Sequence, residues 1–358
     1  MYRNTKNVPY YVFGRGSLAQ LGDLLNPRRE AVDGPVVYFV DHFFRDHELI
    51  GRLPMEKGDQ LHFVDSSSEP EVTRIDAFKE AVSAADGRTP CCVVGIGGGN
   101  ALDTAKAVAN LLTNPGKAED YQGWELVKNP AVYKIGIPTL SGTGSECSRT
   151  CVLTNIPKNL KLGMNSDYTV YDQLLLDPDL LATVPRDQYF YTGIDTFMHC
   201  VESLQGSYRN AIIDAFSVRA VQLCEEIFLS DDMMSEDNRE KMMIASYIGG
   251  MAAGNVGVIH PFSAGLGVVL HVAHGLGNCL ALNVLGDIYP KEYKQFRTMI
   301  ERQGVNLPTG ICKDLTEEQY EGLYRGCIVH EKPLTNALGP DFKQILTREN
   351  LIERYKSI

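Results

Sequence analysis

The sequence contains no apolar run long enough to cross a membrane, because charge or glycine interrupts each run before the roughly 20 residues that a transmembrane helix needs. Its first residues, MYRNTKNVPYYVFGRG, lack the apolar core of a signal peptide. None of its nine cysteines form a CxxC pair. We therefore expect a cytoplasmic protein without a membrane partner, whose thiols are reduced and buried rather than zinc-binding or catalytic.

The chain also lacks an excess of basic residues. It contains 34 Lys and Arg and 45 Asp and Glu, which gives a net charge of -11. Nucleic acid requires a basic surface, so we exclude it as a partner. An acidic small substrate remains open, since one or two local Arg or Lys suffice for it. The 358 residues contain no repeats and are enough for two domains or one large one.

The first half predicts an α/β domain. Short runs of β-branched and aromatic residues at 35–41, 61–65, 91–99 and 134–140 read as strands, with helix-like segments between them. Strands that alternate with helices predict a parallel sheet covered on both faces. Such sheets bind ligands at the carboxyl ends of their strands.

The second half predicts an all-helical domain. Pro178 and Pro185 mark a linker, and from Gln188 onward apolar residues recur at helical spacing. We place the boundary near residue 180, which gives domains of residues 1–180 and 181–358.

Two strand ends carry candidate cofactor-binding residues. Gly97, Gly98 and Gly99 follow a strand and open a helix, so their N–H groups can approach a phosphate. The spacing is not G-x-G-x-x-G, and a tight structural turn is the alternative. Asp41 ends an earlier strand and can bind an adenosine ribose, which favours NAD over NADP. An ordinary strand-end turn explains Asp41 equally well.

A second Gly-rich loop, IPTLSGTGSE, is rich in hydroxyl groups. Thr139, Ser141, Thr143 and Ser145 suit a diphosphate or a ribose–nicotinamide, although such loops are often only loops. Arg149 follows and is our candidate for steadying a substrate carboxylate. A surface salt bridge is the alternative.

Four residues form a candidate metal site. Asp195 and His199 lie four residues apart, on one face of a helix. His260 and His274 lie fourteen apart, which is ~21 Å of straight helix. Metal–nitrogen bonds are about 2.0–2.1 Å long, so both can reach one ion only if the helix breaks between them.

Pro261, Gly265 and Gly267 are the residues that we expect to break that helix. Four of the chain's eight histidines fall in these two segments, with His271 as the fourth. Buried histidines held by structural partners are the alternative to a shared metal. A mixed set of N and O ligands suits Fe(II), Zn(II) or a similar ion.

Several motifs together resemble the iron-dependent (group III) alcohol dehydrogenases. They are GGGNALDTAK, IPTLSGTGSE, DPDLLATVP, GIDTFMHCVE and HVAHGLGN, within residues 10–283, with a weaker echo in EKPLTNALGPDF. The resemblance implies the fold shared with dehydroquinate synthase: an α/β dinucleotide-binding N-terminal domain and an all-α C-terminal domain, with the active site in the cleft.

The resemblance also implies site residues. It makes Asp195, His199, His260 and His274 the ligands of a divalent metal. It places the following residues along NAD: Asp41 at the adenosine ribose, Gly97, Gly98, Gly99 and Asn100 at the diphosphate, and Asp103, Thr139, Leu140, Ser145, Lys161 and Leu180 along the rest.

The sequence departs from the family pattern in three places. Asn100 stands where a serine is usual, and it is still a capping residue. Ala264 stands where many members carry a further histidine that is proposed to relay protons. We expect His271 to carry the proton instead, since it lies one turn from His274; a structural or supporting role is the alternative. The C-terminal part is shorter than typical.

The resemblance implies oxidation of a primary alcohol to an aldehyde by hydride transfer to NAD. In length and overall sequence character, the chain is similar to the branch of this family that oxidises the eight-carbon sugar acid Kdo at C8 for lipopolysaccharide biosynthesis. We therefore expect an acidic sugar as substrate. The family resemblance also implies a homodimer. The alternatives are another small-alcohol or polyol dehydrogenase, a dehydroquinate synthase-like cyclase, and a non-enzymatic NAD-binding or metal-storage protein.

Overall fold

The computed structural model describes residues 6–358, which divide into two compact units. Unit 1 comprises the chain up to Leu140 together with Ser145–Asn155 and Leu162–Thr183. Unit 2 comprises Ser141–Gly144, Ile156–Lys161 and Val184–Ile358. Two short segments of the first half of the chain thus belong to the second unit.

The strands are β1 (Tyr10–Phe13), β2 (Val36–Asp41), β3 (Gln60–Val64), β4 (Cys92–Gly97), β5 (Gly123–Trp124), β6 (Lys134–Pro138), β7 (Thr150–Asn155), β8 (Leu160–Asn165) and β9 (Gln173–Leu176). In the described part of the chain, six of them form one parallel sheet in the order β1-β9-β6-β4-β2-β3. This confirms the predicted parallel sheet. A second sheet, β5-β8-β7, was not predicted.

The central strands of the large sheet are buried on both faces. Along β2, Val37 and Phe39 point to one side and pack with Ile75. The alternate residue Tyr38 points to the other side and packs with Leu25. Side chains of a strand alternate between the two faces of a sheet, so a nearly continuous apolar run is what a sheet covered on both faces requires.

The helices of unit 1 are α1 (Leu21–Ala31), α2 (Val72–Asp86) and α3 (Gly99–Leu111). The helices of unit 2 are α4 (Arg186–Gln205), α5 (Ala211–Phe228), α6 (Glu236–Gly249), α7 (Ile259–Leu270), α8 (His274–Val284), α9 (Pro290–Gln303), α10 (Glu317–Ile328), α11 (Glu331–Leu338), α12 (Phe342–Ile345) and α13 (Arg348–Lys356). Within residues 6–358, no single helix has the length and apolarity of a membrane span; a sharply bent pair, Glu236–Asn255 with Ile259–Leu270, passes that test only jointly.

The closing stretch of the chain forms two short helices, α12 and α13. After α12, Leu346 leaves the helical conformation, and the Thr347 hydroxyl accepts a hydrogen bond from the Asn350 N–H to start α13. A threonine placed before a helix in this way is a typical N-cap. The segment FKQILTRENL thus contains its own signal for a helix start at Thr347.

Candidate functional site

Helix α4 presents two of the candidate metal ligands from one face. Asp195 and His199 lie one turn apart, and both side chains are buried. The His199 Nε2 atom is 3.8 Å from the Asp195 Oδ1 atom. The two side chains therefore project from one face of a helix, as their spacing predicts.

The other two histidines lie on either side of a break between helices. His260 is the second residue of α7, and His274 is the first residue of α8. Between them His271 adopts a left-handed conformation, with φ 56° and ψ 30°. Histidine is among the few non-glycine residues that favour this region. The turn lets both imidazoles approach the same point.

The predicted cause of this break was wrong. Pro261 is the third residue of α7, where its missing N–H would have had no partner within the helix. Gly265 lies inside the helix, where a Cβ would come within 2.7 Å of the Leu323 carbonyl oxygen. Gly267 is also helical. The break falls at residues 271–273, which begin four residues after Gly267.

The four side chains converge on one point. One ligand atom from each of Asp195, His199, His260 and His274 lies within 4.8 Å of the others. The His260 Nε2 is 3.1 Å from Asp195 Oδ1, and the His274 Nε2 is 3.5 Å from Asp195 Oδ2. Three imidazole nitrogens thus face one carboxylate, a set of donors that suits a divalent transition metal.

The electrostatics of this cluster fit a bound cation. Asp195 is fully buried, and its Oδ2 has no hydrogen-bond partner among the described residues. Burial alone would raise the pKa of Asp195, but the facing imidazoles hold it well below its usual range. Burial lowers the pKa of His199 to about 3, so its imidazole is neutral at physiological pH. A neutral imidazole beside an ionised carboxylate is the state that metal coordination requires.

Two supporting residues were not singled out from the sequence. Glu202 is buried, and its Oε2 lies 2.5 Å from the His260 Nδ1. Burial by itself lowers the pKa of His260, but the carboxylates of Glu202 and Asp195 raise it to about 9. Asn278, one turn into α8, donates from its Nδ2 to Asp195 Oδ1 at 2.6 Å. Both residues orient candidate metal ligands, as partners of metal-binding histidines commonly do.

The sequence contained a signal for each of them. Glu202 follows Asp195 by seven residues, and Asn278 follows His274 by four. Both spacings return a side chain to the same face of a helix. Each was therefore visible as a polar residue in line with a candidate ligand.

In unit 1, the Gly-rich turn lies between β4 and α3. Gly97 has φ +152°, and a Cβ there would lie 2.6 Å from the Ala101 Cβ and 3.0 Å from the Asp41 Cβ. Gly98 is the N-cap of α3, which leaves N–H groups at the helix start open to an anion. The turn therefore requires glycine and stands beside the end of β2.

Asp41 and Asn100 tie neighbouring loops together around this turn. The Asp41 Oδ1 accepts hydrogen bonds from the Phe43 N–H at 3.0 Å and the Ser66 hydroxyl at 2.9 Å. The Asn100 Nδ2 donates to the carbonyl oxygens of Ser66 and Ser68. Asp41 ends β2, and Asn100 lies in the first turn of α3 just after β4, so both are at the sheet edge where such folds bind ligands.

Asp103 and Ser145 are joined by a hydrogen bond between their side chains. The Ser145 hydroxyl donates to Asp103 Oδ1, and the Val152 N–H donates to Asp103 Oδ2 at 2.8 Å. Burial raises the pKa of Asp103. Within unit 1, the Asp103 carboxylate fastens α3 to the hydroxyl-rich loop and to β7.

Lys106, one turn further along α3, was missed by the sequence analysis. Its fully buried ammonium donates to the carbonyl oxygens of Ser145 at 2.8 Å, Ser148 at 3.0 Å and Thr150. Its sequence signal was the three-residue spacing from Asp103, which places both side chains on one face of α3. The residue holds the second half of the hydroxyl-rich loop in place.

The remaining candidate cofactor residues lie in different surroundings. The Thr139 N–H donates to the Gly97 carbonyl at 3.0 Å, and Leu140 packs against Gly98. Leu180 is part of the apolar core on the α1 side of the sheet. Lys161 belongs to unit 2 and is buried there.

Arg149 and His271 are the last two candidate site residues. The Arg149 guanidinium donates to Asp167 Oδ1 and to Glu125 Oε1, each at 2.7 Å. This is the salt-bridge alternative to the substrate role. His271 is exposed at the end of α7, so it does not share one continuous helix with His274 as predicted.

Comparison with known proteins identifies two matching family models. Residues 9–178 match the model of iron-containing alcohol dehydrogenases, and residues 189–322 match that of the C-terminal part of the same Fe-containing family. The second match includes all four candidate metal ligands.

The chain is similar in sequence to several enzymes. It is 34% identical to a sulfoacetaldehyde reductase of Bilophila wadsworthia over 220 residues. These residues make up 60% of this chain and 56% of that protein. It is 29% identical over 282 residues to an NAD-dependent methanol dehydrogenase of Bacillus methanolicus, covering 75% of this chain and 71% of that protein. The matched part thus spans between about half and three quarters of these relatives.

Solved structures show the same fold over nearly the whole chain. A sulfoacetaldehyde reductase from Bifidobacterium kashiwanohense in complex with NAD+ has a TM-score of 0.80 at 24% identity, covering 99% of this chain and 98% of that one. An alcohol dehydrogenase from Oenococcus oeni has a TM-score of 0.83 at 21% identity, covering 99% of both chains. At these identities the likeness shows the fold alone.

Proposed function

Since the chain belongs to the iron-containing alcohol dehydrogenases, a family of metal-dependent oxidoreductases that act on CH–OH groups with NAD, we propose that it interconverts a primary alcohol and its aldehyde by hydride transfer. The observation that carries the proposal is the convergence of three imidazoles on the buried Asp195 carboxylate, whose Oδ2 has no hydrogen-bond partner among residues 6–358. A site of this composition is built to hold a cation.

We propose that Asp195, His199, His260 and His274 hold one Fe2+ or Zn2+ ion. Such an ion, when bound, lowers the pKa of an alcohol and polarises a carbonyl as a Lewis acid. Glu202 holds the His260 ring through its Nδ1, and Asn278 holds the Asp195 carboxylate. These contacts keep three Nε2 atoms and one carboxylate aimed at the same point before any ligand arrives.

We propose that residues 1–180 bind NAD, which accepts the hydride, and that residues 181–358 form the metal-binding domain. The Gly97–Gly99 turn receives the diphosphate, and Asp41 receives the adenosine ribose. Asp103 and Ser145 support the cofactor loop through their mutual hydrogen bond. Thr139, Leu140, Lys161 and Leu180 complete the cofactor contacts. Asn100 fixes the adjoining loop through Ser66 and Ser68.

We propose His271 as the residue that passes the alcohol proton to solvent. It is exposed and lies at the turn between α7 and α8, three residues before His274. An imidazole changes charge near neutral pH more readily than any other side chain. A structural role for its left-handed turn is the alternative.

The substrate that we propose is an acidic alcohol or its aldehyde. The sequence texture favours Kdo, oxidised at C8 within lipopolysaccharide biosynthesis. The similarity to sulfoacetaldehyde reductases favours a smaller anionic substrate. We also propose that the protein is a cytoplasmic homodimer. Arg149 can bind the substrate only if its ion pairs with Asp167 and Glu125 are broken.

The test is NADH absorbance with enzyme loaded anaerobically with Fe(II) or Zn(II). Kdo with NAD, and sulfoacetaldehyde with NADH, are compared with chelated enzyme. Metal-dependent turnover of either substrate would support the proposed reaction. Turnover that persists at the same rate after metal removal would refute it. His199→Ala is expected to lose metal and turnover while binding NAD, and equal loss of NAD binding would contradict the proposed division of roles.

A further inference from the structure

The first turn of α7 carries the candidate ligand His260 and starts from an apolar N-cap. Val258 is that N-cap, and its side chain has no atom that can accept a hydrogen bond from the first N–H groups. These N–H groups have no partner within the helix, so other groups must satisfy them where the helix start is buried. Val258 and Ile259 are both fully buried. The caps of this helix therefore come from elsewhere in unit 2.

Two side chains distant in the sequence cap α7. The Val258 N–H donates to the Tyr289 hydroxyl at 3.0 Å, and the Ile259 N–H donates to Glu202 Oε1 at 2.6 Å. Glu202 comes from α4, and Tyr289 is the N-cap residue of α9. A carboxylate at a helix N-terminus is favoured by the helix dipole as well. The helix that carries His260 is thus fixed at its start to α4 and to the beginning of α9.

The Tyr289 hydroxyl also holds the Glu202 carboxylate. It donates to Glu202 Oε1 at 3.2 Å, the same oxygen that accepts from the Ile259 N–H. The other oxygen, Oε2, lies 2.5 Å from the His260 Nδ1. A proton on Nδ1 leaves the Nε2 of the imidazole as the atom that can bind a metal. The Tyr289 hydroxyl therefore supports the carboxylate that selects the metal-binding nitrogen of His260.

The hydroxyl has one defined position. Its donor goes to Glu202 and its acceptor to Val258, and the Tyr289 side chain is buried. A Cβ on Gly257 would lie 2.5 Å from the Tyr289 hydroxyl oxygen and 3.0 Å from Glu202 Oε1. The absence of a side chain at Gly257 thus allows the phenol and the carboxylate to meet beside the start of α7.

We propose that Tyr289 is a positioning residue of the metal site, acting through Glu202 on His260. Its hydroxyl fixes Glu202 Oε1 and the first turn of α7, so that the His260 Nε2 stays 3.1 Å from Asp195 Oδ1. The inference rests on the proposed function and adds to it a residue that sets how tightly the four ligands hold their cation. Outer partners of metal-binding histidines act in this way when they fix the tautomer and the ring orientation.

The test removes only the hydroxyl. Tyr289→Phe keeps the buried ring and leaves Glu202 and the Val258 N–H without that partner, so Zn2+ affinity should fall roughly tenfold in competition with a chelator. Tyr355→Phe is the matched control, because the buried Tyr355 hydroxyl donates to the Phe262 carbonyl of the same helix at 2.8 Å. Both variants should lower the unfolding temperature of the metal-free protein by a similar amount. Only Tyr289→Phe should weaken metal binding.

A double-mutant cycle separates positioning from general loosening of the structure. Zn2+ affinity is measured in the wild type, in Tyr289→Phe, in Glu202→Ala and in the double variant. If Tyr289 acts through Glu202, the double variant should bind Zn2+ within about twofold of Glu202→Ala alone. Visible absorption of Co2+-loaded protein reports the ligand geometry directly and carries the test if Glu202→Ala does not fold. The spectrum should change in Tyr289→Phe and stay unchanged in Tyr355→Phe.

The outcomes distinguish the inference from the proposed function. Unchanged Zn2+ affinity in Tyr289→Phe would overturn the inference and leave the proposed function standing. Equal losses of affinity in Tyr289→Phe and Tyr355→Phe, or losses that add fully in the cycle, would show a merely structural role and reject the inference too. A wild-type protein that binds no metal, or whose metal binding is unaffected by His199→Ala, would overturn the proposed function and the inference together.

Discussion

Asp195 is the residue around which the candidate site is arranged. Its Oδ1 accepts a hydrogen bond from Asn278, while its Oδ2 has no such partner among the described residues. Leaving an ionised carboxylate buried costs far more than one hydrogen bond returns. Three imidazoles around such a carboxylate are an arrangement that a divalent cation completes.

Glu202 is expected to strengthen metal binding without touching the metal. Its carboxylate lies 2.5 Å from the His260 Nδ1 and holds that ring in place. Glu202→Gln should weaken metal affinity by about 10–100-fold, as loss of a supporting partner does in other sites. Competition with a chelator measures this change. Glu226→Gln, on an exposed α5 position, is the control, and an equal loss in both variants would contradict the role.

Lys106 is expected to stabilise unit 1. Its ammonium is fully buried and donates to three carbonyl oxygens of the 145–150 loop. Lys106→Met leaves those oxygens and the neighbouring Asp103 without their cation, which should cost about 3–5 kcal/mol. Urea unfolding measures the loss. Lys241→Met removes only a surface ion pair with Glu226 from a half-exposed position and should change stability by less than about 1 kcal/mol; a similarly small effect at Lys106 would contradict the prediction.

At the scale of elements, two turns between regular segments create the candidate sites. The 271–273 turn between α7 and α8 lets His260 and His274 face one point. The Gly97–Gly99 turn between β4 and α3 leaves helix N–H groups open beside Asp41. In both places, regular elements hold the turn from each side.

Gly97→Ala is expected to damage the cofactor turn and spare the metal ligands. The residue has φ +152°, and its Cβ would lie 2.6 Å from that of Ala101. A side chain there should destabilise unit 1 by about 1–3 kcal/mol and weaken NAD binding. Gly51→Ala, which adds a Cβ to open space, is the control. Calorimetric titration with NAD and metal analysis measure the two effects; unchanged NAD affinity would count against the assignment.

At the scale of the molecule, the four candidate ligands join three helices of unit 2. Asp195 and His199 come from α4, His260 from α7 and His274 from α8. A cation that binds them favours the folded state by mass action. At a free metal concentration of about 100 times Kd, the stabilisation is about 2.7 kcal/mol.

Chelation is therefore expected to lower the unfolding temperature of the metal-loaded protein. The shift should disappear in Asp195→Asn, which neutralises the carboxylate at the centre of the cluster. Thermal unfolding with and without chelator measures it in both proteins. A chelator effect of the same size in the variant would show that the metal acts elsewhere.

Much of the fold could be read from local patterns. The strands around Val36–Asp41 and Cys92–Gly97 are nearly continuous apolar runs, because both faces of the sheet are covered. The small sheet was not predicted, since β5 has two residues and β7 alternates buried with half-buried positions inside a loop-like sequence. Glu202, Asn278 and Lys106 each lie at helical spacing from a candidate residue, but spacing alone does not specify which carbonyl oxygens Lys106 contacts.

The sequence by itself determined that His260 and His274 can share an ion only across a helix break, because helix rise and metal–ligand distances leave no other solution. It also determined the parallel sheet, through the length and apolarity of its strands. The tertiary structure alone decided where the break falls, since α7 continues through Gly265 and Gly267 to Leu270 and ends at the left-handed His271. It also decided that Arg149 pairs with Asp167 and Glu125. Such contacts join residues far apart in the chain, so no local pattern specifies them.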